Sequence, residues 1–111
     1  MTRTALALLV CAAAFAQAAA PKEAARARLG EGLHAYDAGN FAGALAAFEE
    51  AYRLYPSAKL LATQATCHAK LGHPVEALAL YERFLAQATA ETPAALVEES
   101  RRAADTLRDE I

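Results

Sequence analysis

The residues best suited to chemistry in this 111-residue chain are three histidines, two cysteines, and a few serines and paired carboxylates. Cys67 and His68 are adjacent, and neighbours on a helix point about 100° apart, so the pair is poorly placed to share one metal ion. His34 lies in an earlier helical segment and His73 lies across a turn. Cys67 as a reactive thiol needs a cationic neighbourhood to lower its pKa, and none is visible. Ser57 follows a proline at a helix start, and Ser100 falls on the buried edge of the last helix. Glu49-Glu50 and Glu98-Glu99 diverge on their helices and read as solvated faces rather than acid/base partners. No glycine-rich loop is present to cradle phosphate. The chain is therefore expected to hold no catalytic residue, metal or cofactor, with Cys67 a small, partly buried residue and His68 packed between helices.

Composition sets the class. The chain has 32 alanines, a formal charge of −2 and interspersed signs. Alanine favours helix throughout, and without a basic patch nucleic acid is not an expected partner. Arg3 precedes an apolar run from Ala5 to Phe15, and Ala16-Gln17-Ala18 forms a small-x-small site. This is the anatomy of a secretory signal peptide over residues 1–18, and the run is too short for a stable membrane span. A lipidated Cys11 is disfavoured, because Val10 is large beside it and the apolar run continues to Phe15. Removal of residues 1–18 leaves ten basic and thirteen acidic residues and the single cysteine Cys67, so packing rather than a disulfide must hold the fold. The expected location is periplasmic or secreted.

Residues 19–24 are expected to form a short N-terminal linker, within which Pro21-Lys22-Glu23 begins a helix running to about Ala38, with Leu29, Leu33 and Tyr36 as its larger apolar residues. Gly30 and Gly32 each cost that helix about 1 kcal/mol against alanine. Gly39 suits the left-handed stop, Asn40 is an N-cap, and Phe41, Ala44, Leu45, Phe48, Ala51 and Tyr52 share one face of the next helix, which Pro56 ends. The phrase returns after 33 residues: Gly72, Ala77, Leu78, Tyr81 and Leu85 stand where Gly39, Ala44, Leu45, Phe48 and Tyr52 stood. Phe84 falls at the position of Ala51. Ser57 is expected to cap the third helix, whose buried side is Leu60, Leu61, Ala65, His68 and Leu71. His73 and Pro74 open the fourth helix. Thr92 is expected to cap a fifth, amphipathic helix over 93–111, with a stripe of Leu96, Ser100, Ala103, Leu107 and Ile111.

The small residue Gly32, the turn glycine Gly39, and Ala44, Phe48, Ala51 and Pro56 resemble the tetratricopeptide repeat. A second copy is carried by Gly72, Ala77 and Tyr81. The resemblance covers residues 25–92, with repeats at about 25–56 and 58–91. It implies an all-α fold of two stacked helical hairpins plus a C-terminal capping helix, a right-handed α-solenoid fragment. It also implies a protein or peptide partner gripped on a concave face formed by the first helix of each hairpin. On this sequence that face holds Arg26, Leu29, Leu33, Tyr36 and Asp37, then Lys59, Ala62, Thr66, Ala69 and Lys70. The alternative is a structural spacer or self-association unit of a multidomain envelope protein.

Overall fold

The computed structural model describes residues 2–111, with side chains from Ala20 onward. It is all-helical: α1 (Thr2–Asp37), α2 (Phe41–Leu54), α3 (Ala58–Lys70), α4 (Pro74–Gln87) and α5 (Ala94–Glu110), with no strand among the described residues. Each helix packs against the next in chain order. The side chains of the signal-like segment, including Cys11 and the Ala16-Gln17-Ala18 site, lie outside the described residues. Among the described residues, no helix is long and apolar enough to cross a membrane.

The first difference from the sequence reading is at residues 19–24. Rather than a linker, they are part of α1, and Pro21 lies inside that helix. The alanine, lysine and glutamate around the proline are strong helix formers.

The two turns have one geometry. Gly39 and Gly72 adopt φ +79° and +78°, open to glycine at no steric cost. The Asn40 N–H donates to the Ala35 carbonyl at 2.9 Å and the Gly39 N–H to that of Tyr36 at 2.9 Å. In the later turn, the His73 N–H donates to the His68 carbonyl at 2.9 Å and the Gly72 N–H to that of Ala69 at 3.2 Å. Both are Schellman caps, which satisfy the last carbonyls of the helix and fold the chain back. Asn40 also caps α2: its side-chain oxygen accepts from the Gly43 N–H at 3.0 Å. Two helix starts differ from expectation. Ser57 occupies the N-cap position of α3 but makes no side-chain cap bond. Pro93, not Thr92, is at the N-cap of α5, and the Thr92 hydroxyl instead accepts from the Thr89 N–H at 2.9 Å.

The core follows the repeated pattern. Ala44, Phe48 and Ala51 are the buried residues of α2, and Ala77, Tyr81 and Phe84 those of α4. The first set packs with Leu60 and Cys67 of α3, against Leu29, Ala35 and Tyr36 of α1. A Cβ at Gly32 would lie 2.4 Å from the Phe48 ring, so hydrogen at that position is what lets α1 approach α2. Phe84, where the first repeat has alanine, buries with Leu61 and Ala62 and is covered by Leu96 and Val97 of α5. The larger ring thus builds the seat for the last helix.

The helix α3 lies between α2 and α4 and buries six residues: Leu60, Leu61, Ala62, Gln64, Ala65 and Cys67. His68 and Leu71, expected on its buried side, are only half-buried. On α5 the buried positions are Ser100, Ala104 and Leu107. Ala104 is fully buried, with Ala103 partly buried beside it, and Ile111 is exposed at the end of the helix.

Candidate functional site

Two grooves run side by side over α1, α3 and α5. The larger, about 310 Å³, has an apolar floor of Ala25, Leu29, Leu33 and Leu60 and a rim carrying Lys22, Arg26 and Lys59. The smaller, about 150 Å³, lies where Leu33 and Tyr36 of α1, Ala62 and Thr66 of α3, and Leu96, Glu99 and Ser100 of α5 come together. Leu33 and Thr63 line both, so the two form one trough. Leu33 is 50% exposed and lines both grooves.

Most of the residues expected on the binding face meet in this trough. Arg26, Leu29, Leu33 and Lys59 line the larger groove; Leu33, Tyr36, Ala62 and Thr66 line the smaller. Ala62 is almost fully buried and forms floor rather than rim. Asp37, Ala69 and Lys70 line neither groove. The Lys70 ammonium instead lies 5.9 Å from the centre of the Phe41 ring, near the first turn. Sequence reasoning missed Lys22, Tyr55 and Thr63 on the larger groove, and Tyr81, Leu96 and Glu99 on the smaller. Lys22 is held over the Tyr55 ring, 5.8 Å from its centre, so a residue read as linker becomes part of the rim.

The polar groups of the smaller groove are tied to one another. The Thr66 and Tyr81 hydroxyls are 2.8 Å apart, and the Thr66 hydroxyl also donates to the Ala62 carbonyl at 3.0 Å. In the two-centre bond the Tyr81 hydroxyl therefore donates and the Thr66 oxygen accepts. Burial pushes the Tyr81 phenol up, the bond to Thr66 opposes this, and the Glu99 charge adds to the rise. The Tyr36 phenol is also raised, first by burial and then by nearby negative charge that includes Glu99. Tyr36 packs edge-on against Phe41 at 5.1 Å between ring centres, so it braces the α1–α2 turn as well as lining the groove.

Outside the trough, most of the arginines are paired locally. Arg28, Arg53, Arg101, Arg102 and Arg108 each form ion pairs, mostly three or four residues along their own helix. Exposed pairs of this kind contribute little to stability. Lys22, Arg26, Lys59 and Glu99 form no salt bridge among the described residues.

His34, Cys67, His68 and His73 line neither groove. His68 and His73 bring their Nδ1 atoms to 3.2 Å across the second turn, a contact that the sequence did not disclose. One imidazole donates and the other accepts, bracing the turn. No group of three or more metal-ligating side chains occurs among the described residues. Cys67 is completely buried against α2, deeper than expected, and burial pushes its thiol up to about 11 from its ordinary 9.0. The folded thiol is expected to resist iodoacetamide at neutral pH and to react only once denaturant exposes it; mass spectrometry of timed alkylations checks this. The raised pKa also fixes a sign. The folded state holds the proton more tightly, so its stabilising contribution is complete below pH 9 and is lost as pH rises through about 11. Denaturant melts across that window should show the loss, and Cys67→Ala should flatten part of it. Tyr36 and Tyr81 are shifted in the same direction and account for a further part.

No family model, curated protein or solved structure matches the chain.

Proposed function

We propose that the chain is an extracytoplasmic protein–protein interaction module of tetratricopeptide type, holding an extended segment of a partner protein in the trough over α1, α3 and α5. The observation that carries this reading is the continuity of the two grooves through Leu33 and Thr63 across three alternate helices. On this reading α5 completes the row begun by α1 and α3, as the first helix of a third unit would, while Phe84 anchors it. The paired turns, thirty-three residues apart and alike in their glycine conformation and their two Schellman bonds, support the stacked-hairpin arrangement. The signal-like residues 1–18 support export to the periplasm or beyond.

Leu33 is a better anchor for a partner than Tyr36, because Tyr36 also packs on Phe41 and its loss would disturb the turn. Apolar anchors at the centre of an interface dominate binding energy, so Leu33→Asp should cost about 2 kcal/mol of partner affinity. Its half-exposed position predicts little change in the thermal melt. A photo-crosslinking residue placed at position 33 should trap a defined partner in cell-envelope preparations. The same residue at position 46, exposed on α2, should not. Equal trapping at the two positions would rule out the trough as the binding face.

A further inference from the structure

Resting on the reading of the trough as a peptide-binding face, we infer that it is electrically polar and selects a segment with an acidic end, an apolar centre and a basic end. The cations Lys22, Arg26 and Lys59 all line the larger groove, which has no acidic residue in its lining. The smaller groove carries the opposite sign: Glu99 is its one charged residue, set among the hydroxyls of Tyr36, Thr66, Tyr81 and Ser100. None of these four charged side chains forms a salt bridge among the described residues, whereas most of the other arginines do. Their charge is therefore available to an incoming group. Between the two ends stand Leu33 and Thr63, common to both grooves, where an apolar side chain of the segment would cover the exposed leucine.

Physical complementarity assigns the ends. A carboxylate near Arg26 and Lys59 gains attraction from up to three cations, and the same group beside Glu99 meets like charge. A lysine of the segment has the reverse preference. Its ammonium can also donate to the exposed Glu99 carboxylate, and Tyr36 and Tyr81 in the same groove lie within that carboxylate's field. The segment thus lies with its acidic residues toward the N-terminal part of α1 and its basic residue toward α5.

The test uses the full chain and three blocked, fluorescein-labelled peptides with the same Leu-Ala-Leu centre. One has Asp-Glu before the centre and Lys after it, one has acidic residues at both ends, and one has lysines at both ends. Fluorescence anisotropy should rank the first tightest, with each mismatched end weakening binding by roughly two- to fivefold, as for partly exposed ion pairs. Raising the salt concentration should narrow the differences. Arg26→Gln should weaken the two peptides that carry an acidic end and modestly tighten the lysine-ended one, whose mismatch it relieves. Glu99→Gln should abolish the advantage of the first peptide over the doubly acidic one. Both substitutions are at exposed positions, and circular dichroism checks that the helices persist. Equal affinity for all three peptides, or an advantage that survives Glu99→Gln, overturns the charge ordering while leaving the trough as a binding face. No binding by any of the three overturns both readings.

Discussion

Phe48→Ala should destabilise the fold by about 3–5 kcal/mol, the largest loss expected from any single truncation in the first hairpin. The ring is fully buried, and it sits where α1, α2 and α3 converge, in the cluster of Ala44, Ala51, Leu60 and Cys67. Its neighbours on α2 are alanines, too short to collapse into the space, and the close approach at Gly32 provides only hydrogen on the α1 side. A cavity that cannot be refilled incurs both the transfer cost and the void cost. A domain of this size has a total stability of about 5–10 kcal/mol, so the variant should approach the edge of folding at physiological temperature. Urea melts followed by circular dichroism measure the change. A loss under about 1 kcal/mol would mean that the ring does not occupy the junction between the helices.

The second large effect is a change of sign between two glycines on the same helix. Gly32→Ala places a Cβ 2.4 and 2.6 Å from two carbons of the Phe48 ring. Either the ring turns toward the small groove it lines or the helices separate, at a cost of about 1–3 kcal/mol. Gly30→Ala meets nothing within 4 Å and faces solvent. There alanine only stiffens the unfolded chain and improves helix propensity, for a gain of up to about 1 kcal/mol. The two substitutions, two residues apart and chemically identical, should therefore move the melting temperature in opposite directions. Combining Gly32→Ala with Phe48→Leu should cost less than the sum of the separate changes, because the smaller side chain relieves the clash. Strict additivity would show that Gly32 and Phe48 are not in contact.

Local chemistry was legible wherever one stretch of chain decides the outcome. Gly39 and Gly72 predict their left-handed turns because only glycine takes that conformation without steric cost. Asn40 predicts its cap because the N–H it satisfies is three residues away. The faces of α2 and α4 follow from a stripe on one side of each helix, so Ala44, Phe48, Ala77 and Tyr81 were readable as core. The same reasoning weakened on α3, which is covered on more than one side, so that periodicity no longer separates in from out. Gln64 shows the consequence: it is buried on the same face as Leu60 and Cys67, and its amide nitrogen has no hydrogen-bond partner among the described residues.

By itself, then, the sequence determined an all-helical chain, the positions of its turns, and the alternation of small and large core residues. Tertiary structure alone decided which of its charges face one another. Lys22 and Arg26 join Lys59 across a groove because α1 and α3 are brought side by side, although they lie far apart in the chain. Glu99 reaches Tyr36 and Tyr81 only because α5 settles on Phe84. Periodicity states which face of a helix is apolar, but it carries no term for the distance between two helices. That distance is fixed by the packing of rings against small residues, Phe48 on Gly32 and Phe84 under Leu96 and Val97, and the trough takes its shape and its polarity from it.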